Sequence, residues 1–156
     1  MSSPRWLDAR EQRAWRGWMT MQVGLAQYIE RRLRTQCGIS VADYHVLVHL
    51  SEAPDGRLRA WVLGKAMRWE KSRLSQHLTR METRDLVNRE RCPTDQRGAV
   101  AVITDQGREL VDTAARLHVA DVRDALIDQL TLAQLDTLCE IGDLVLRRLA
   151  ETPPSP

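Results

Sequence analysis

A chain of 156 residues with 43% hydrophobic and 28% charged side chains is long enough for one cored domain and too short for a second large lobe. It has no apolar run that could cross a bilayer, and Met1-Ser2-Ser3-Pro4-Arg5-Trp6 leads straight into charged residues, so neither a membrane span nor a secretory signal is expected and the location is read as cytoplasmic. The net charge of +2 conceals a division: residues 57–97 carry eleven Lys/Arg against five acids, whereas residues 105–151 carry five Arg against ten acids. A basic middle followed by an acidic C-terminal part suits a molecule that docks on phosphate with one end.

In chain order the pattern is mostly helical. From Trp6 to Gln36, Leu7, Trp15, Trp18, Met19, Val23, Leu25, Ala26, Ile29 and Leu33 recur at helical spacing, and Gly38 is a natural stop. Ser40-Val41-Ala42-Asp43 opens a second helix as a capping box, and Pro54-Asp55-Gly56 ends it. A third helix spans about Arg59 to Met67, and a turn at Arg68 and Trp69 leads to a fourth, from about Glu70 to Arg84. In that helix Leu74, Leu78 and Met81 fall on the inward face, leaving Lys71, Ser72, Arg73, Ser75, Gln76 and Thr79 outside.

Two strand-like runs, 86–92 and 99–103, flank a turn reading Pro93-Thr94-Asp95-Gln96-Arg97-Gly98 and predict a hairpin. Thr104 then caps a long helix to about Leu130, and Thr131-Leu132-Ala133-Gln134 is a capping box for a last helix to Ala150. The fold class is mainly α with a small β-hairpin wing. Helix, tight turn, helix and basic hairpin make a winged helix-turn-helix, whose expected partner is double-stranded DNA.

Several of these segments together resemble the MarR family, the multiple-antibiotic-resistance regulators. The resemblance rests on Glu82-Thr83-Arg84-Asp85-Leu86-Val87 at the end of the fourth helix, Asp95-Gln96-Arg97 in the hairpin, and Ile103-Thr104-Asp105-Gln106-Gly107-Arg108-Glu109-Leu110 opening the next helix. Trp69-Glu70-Lys71-Ser72-Arg73-Leu74-Ser75 is similar to the recognition-helix opening of one branch, and the likeness covers about residues 7–150. Asp85 stands where the family usually has Gly, and Ile103 where it has Leu. Asp tolerates a left-handed cap, so a similar turn is expected.

What the resemblance implies is a single domain over 1–156, with the winged part at 40–104 and dimerisation helices at 6–37 and 105–150. It implies a homodimer, commonly a repressor, whose N- and C-terminal helices interlock. Independently, Leu132, Leu135, Leu138, Ile141, Leu144, Val145 and Leu149 form more apolar surface than one short helix hides in a monomer. Two recognition helices about 34 Å apart predict an inverted-repeat operator. Ser72, Arg73, Ser75 and Gln76 are the base-reading candidates, Arg73 for guanine and Gln76 for adenine. Lys71, Arg80, Arg89 and Arg91 are assigned to phosphate, and Arg97, oriented by Asp95, to the minor groove or the phosphates that flank it.

Many relatives respond to a small aromatic or anionic molecule, and Trp18, Met19, Gln22, His45, His49 and Trp69 are the candidate lining of such an effector pocket. His45 and His49, four apart on a helix, lack a third ligand, so no metal and no cofactor are expected. Cys37, Cys92 and Cys139 are odd in number and widely spaced, as reduced thiols are. Cys92 beside Arg91 and Arg89 offers the alternative of a thiol-based redox regulator. A winged module that contacts protein and not DNA is the other alternative, but the polar recognition face speaks against it. No nucleophile, phosphate-binding glycine or clustered acid pair supports an enzyme.

Overall fold

A computed structural model describes residues 5–92 and 95–151, with backbone alone for residues 92 and 95–97. Its elements are α1 (Ala9–Cys37), α2 (Val41–Ser51), β1 (Arg57–Arg59), α3 (Ala60–Met67), α4 (Lys71–Glu82), β2 (Val87–Cys92), β3 (Asp95–Ile103), α5 (Asp105–Ala125) and α6 (Leu132–Glu151). They fall into two compact units, 1–118 and 119–156.

In the first unit, helix boundaries follow local chemistry. The Asp8 carboxylate accepts from the Arg10 and Glu11 amides to start α1, and Gly38, at φ 67°, closes it with a left-handed cap that most side chains would disfavour. Ser40 caps α2 as expected: its hydroxyl accepts from Asp43 N at 3.0 Å, and the Asp43 carboxylate accepts from Ser40 N at 3.0 Å.

The sheet holds one strand more than the sequence reading gave. β1, only three residues long, pairs antiparallel with β3, which pairs on its other edge with β2, giving the order β1-β3-β2. β3 also starts earlier than read: Asp95 already pairs with Cys92, across an irregularity at Arg91/Cys92, so residues 95–98 are strand and not loop. Residues 93–94 lie outside the described residues.

Leu33, Ile39, Val46, Leu47, Leu50, Leu63, Leu78, Met81, Leu86 and Val87 form the core of this unit. The corner after α4 is locked to the start of α5. Asp85 takes φ 55°, the left-handed turn anticipated for it, and Thr104 Oγ1 donates to the Asp85 carbonyl at 2.6 Å. Thr104 also caps α5, accepting from Gly107 N at 2.9 Å. Gly107 is required because a Cβ there would collide with the Leu86 carbonyl.

In the second unit the long helix read to about Leu130 stops at Ala125. Leu126 leaves helical geometry, a 3-10 turn spans Ile127–Gln129, and Gln129 Nε2 donates to the Asp124 carbonyl at 2.9 Å. That bond satisfies a helix-end acceptor and favours the early stop. Thr131 and Gln134 then form the expected box, Thr131 N donating to Gln134 Oε1 at 2.9 Å and Gln134 N to Thr131 Oγ1 at 3.2 Å. Among the described residues no helix is long and apolar enough to cross a membrane.

Candidate nucleic-acid interface

α4 carries the candidate surface. Arg68, in left-handed conformation, ends α3, and Trp69 N donates back to Gly64 O at 2.9 Å, so the chain reverses tightly into α4. Leu74, His77, Leu78 and Met81 are buried, while Lys71, Ser72, Arg73, Ser75, Gln76, Thr79 and Arg80 are exposed. The six helix residues expected at DNA (Lys71, Ser72, Arg73, Ser75, Gln76 and Arg80) therefore share the outward side of α4. Thr79 Oγ1 is turned back onto the Ser75 carbonyl at 3.0 Å.

His77 is the residue the sequence reading missed. Its Nε2 lies 2.9 Å from Asp43 Oδ1 on α2, bent away from a straight hydrogen bond. Its Nδ1 lies 3.3 Å from Arg80 Nη2. Because a guanidinium only donates, Nδ1 must accept, which puts the ring proton on Nε2 facing Asp43. Asp43 also accepts from Arg84 Nη1 at 3.0 Å, and Arg84 Nη2 donates to the Gly38 carbonyl at 2.8 Å. Burial pushes the Asp43 carboxyl up, but its bonds from His77, Ser40 and Arg84 outweigh this and hold it well below the usual carboxylate range. One carboxylate thus ties the start of α2 to α4 and, through Arg84, to the end of α1.

Besides Arg80, two more of the predicted arginines are already engaged. The Arg73 guanidinium stacks 4.4 Å from the Trp69 ring, and the Trp69 and His77 rings meet in a T-shaped arrangement at 5.0 Å between centroids. Arg89 on β2 donates to Glu82 through Nε at 2.9 Å, Nη2 at 2.8 Å and its backbone N at 3.2 Å, bracing the hairpin on α4. Arg91 is exposed, and Arg57 on β1 pairs with Glu90 on β2 across the central strand β3. The side chains of Asp95 and Arg97, like that of Cys92, lie outside the described residues. Between α3, the start of α4 and the hairpin runs a groove of about 440 Å³, lined by Trp61, Lys65, Lys71 and Arg89 among others. Trp61 is 66% exposed, an unusual position for the largest apolar side chain, and was not among the predicted contacts.

The six expected effector residues do not converge. His45, His49 and Trp69 line one hollow of about 420 Å³ together with Glu30, Met67 and Arg73. Gln22 lines a neighbouring one with Leu25 and Ile29, and Glu30 and Val41 border both. Trp18 and Met19 line neither and are 40% and 41% exposed on α1. Desolvation, and then the charges of His49 and His118, pull the His45 imidazole below its ordinary value. Among the described residues no group of three or more His, Cys, Asp or Glu could hold a metal ion.

Comparison with known proteins gives this geometry a lineage. Residues 38–98 match the MarR family profile. AbsC, a MarR family transcriptional regulator from Streptomyces coelicolor, is 38% identical over 96% of this chain and all of its own, with a TM-score of 0.87. Sco3205, a MarR family regulator from the same organism whose structure was solved in complex with DNA, is 38% identical over 98% of this chain and 95% of its own, with a TM-score of 0.86. A mutant MarR from E. coli, complexed with operator DNA, shares the fold at a TM-score of 0.74 and 22% identity, over 84% of this chain and 91% of that one. No curated protein matches. With more than a third of its residues shared along nearly its whole length, the chain belongs to the MarR family of winged-helix transcriptional regulators.

Proposed function

We propose that the chain binds DNA as a homodimer, reads an inverted-repeat operator, represses from it, and is released by a small aromatic or anionic ligand. The observation that carries this reading is the outward side of α4, where Lys71, Ser72, Arg73, Ser75, Gln76 and Arg80 stand together opposite a buried inner face. Ser75 and Gln76 are free of the stacking that engages Arg73 and are the first candidates for base edges. Lys71, Arg80 and Arg91 serve phosphate, joined by Lys65 from the groove beside α4. Arg97, oriented by Asp95, enters the minor groove. The DNA complex of Sco3205 supports the same partner here.

Dimerisation is supported by α6, where Leu132, Ile141, Leu144, Val145, Leu146 and Leu149 are all about half exposed or more. An apolar stripe of that length is covered most simply by a second copy. The ligand site is the hollow lined by His45, His49, Trp69 and Arg73, whose volume suits a small organic molecule. Arg73 supplies the cation there for an anionic group and belongs at once to the recognition helix.

Fluorescence anisotropy against DNA upstream of the protein's own gene, at several salt concentrations and with random duplex as competitor, tests the reading. Saturable binding of one dimer per inverted repeat, with a log–log salt slope of about 0.9 per neutralised phosphate, is expected. Equal weak binding to both duplexes would exclude that promoter as the operator. Arg97→Ala is expected to weaken binding at moderate salt.

A further inference from the structure

The recognition helix is usually pictured as an outer polar face resting on an inner apolar one. Here the inner face contains an imidazole. His77 is 8% exposed and sits between three partners: the Asp43 carboxylate, the Arg80 guanidinium and the Trp69 ring, which it meets in a T-shaped contact. Burying an imidazole where a leucine would complete the stripe of Leu74, Leu78 and Met81 costs stability unless its nitrogens are used. Nδ1 accepts from Arg80, and Nε2 faces the Asp43 carboxylate at 2.9 Å, near enough for electrostatic attraction though without hydrogen-bond geometry, so each nitrogen looks to a different side of the helix.

We propose that His77 is a positioning residue of the DNA-reading surface. Asp43 draws the ring proton to Nε2, which leaves the Nδ1 lone pair to accept from Arg80 Nη2 at 3.3 Å. Arg80 is thereby held in one rotamer before DNA arrives, so less side-chain freedom is lost when it meets a phosphate. On its other side the ring abuts Trp69, and Trp69 carries the Arg73 guanidinium on its face. A single buried residue therefore presets arginines two turns apart on α4. Asp43 is in turn fixed by the capping box of α2 and by Arg84, so the device is anchored outside the helix that it orders.

This inference rests on the DNA-binding reading, and the test separates the two. The probe is a labelled duplex of roughly 30 base pairs, long enough for two half-sites one helical turn apart, enriched from a randomised library by the wild-type protein. Binding is measured as a function of salt for wild type, His77→Gln, Arg80→Ala and the double variant, each verified by its thermal melt. His77→Gln is expected to weaken binding about fivefold and to lower the salt slope by about one unit, although no charge has been removed. Arg80→Ala is expected to do the same, and the double variant to be little worse than either single one, where independent effects would multiply to roughly 25-fold.

Multiplicative losses, or a His77→Gln protein that binds with wild-type affinity and slope, would overturn the positioning role while leaving the regulator reading intact. A folded wild type that enriches no duplex overturns both. If His77→Gln does not fold, Asp43→Asn takes its place in the same cycle. It keeps the shape of the carboxylate and removes the charge that fixes the tautomer, and the same coupling to Arg80 is expected.

Discussion

α4 and α6 are both amphipathic, yet they use their apolar faces in opposite ways. α4, with twelve residues, buries Leu74, His77, Leu78 and Met81 against its own unit, whereas α6, with twenty, buries none. α4 is therefore held by intramolecular packing and by the Asp43 network, and its orientation is settled once the first unit folds. The leucines of α6 are left to a second chain in the proposed dimer. An amphipathic stripe in the sequence looks the same in the two cases. Only the shape of the rest of the chain distinguishes a face that is covered from one that waits for a partner.

The largest expected effect comes from disrupting the apolar face of α6. Leu144→Asp, at a position 64% exposed, places a charge in the proposed interface. It is expected to convert dimer to monomer in analytical ultracentrifugation and to weaken operator binding by about two orders of magnitude through lost bivalency, with little change in helix content. A dimer that survives this substitution and its neighbour Leu149→Asp would place the interface elsewhere. Leu47→Ala probes the other side of the comparison. Leu47 is fully buried, and its truncation is expected to cost about 3 kcal/mol and lower the melting temperature by roughly 10 °C, with the association state unchanged.

Acid should act on the first unit and spare α6. The Asp43 carboxyl is held low in the folded protein, so the stability that it adds is complete above its ordinary value of about 4 and is lost as the pH falls below that toward the folded value. Urea midpoints are expected to fall over that window in wild type and less steeply in Asp43→Asn, which should also be about 2 kcal/mol less stable at neutral pH. Curves of equal steepness would show that other carboxylates carry the acid sensitivity. The smallest effect is a gain. Asp85 occupies a left-handed conformation at φ 55°, and Asp85→Gly is expected to stabilise the unit by about 0.5 kcal/mol, partly offset by the freedom glycine gains on unfolding.

Much of this arrangement is legible in the sequence because it is locally coded. The boxes at Ser40 and Thr131, the stop at Gly38 and the turn at Asp85 each depend on residues within a few positions of one another, and each forms as read. β1 escapes because Arg57-Leu58-Arg59 is too short for a pattern, and only β3 makes it a strand. The end of α5 is missed because Leu126, Ile127 and Leu130 extend the apolar spacing past the point where Gln129 closes the helix.

The outward residues of α4 follow from periodicity alone, since they are whatever the apolar stripe leaves over. His77 had a signal, lying three after Leu74 and four before Met81, but its partner Asp43 is thirty-four residues away and no local rule joins them. The commitments of Arg89 to Glu82 and of Arg73 to Trp69 are likewise invisible to a reading that treats each cation as available for phosphate.

The stack of Arg73 on Trp69 also makes the protein its own optical probe. Trp69 is half-buried, with a cation on its face and an imidazole in T-shaped contact, whereas Trp61, eight residues earlier, is mostly open to solvent. Any event that draws Arg73 toward a guanine or toward a bound anion strips the indole of its cation, and the emission of that one ring must change in wavelength and lifetime. A chain in which only Trp69 remains, the other tryptophans replaced by phenylalanine, would therefore report the engagement of the recognition helix without any added label.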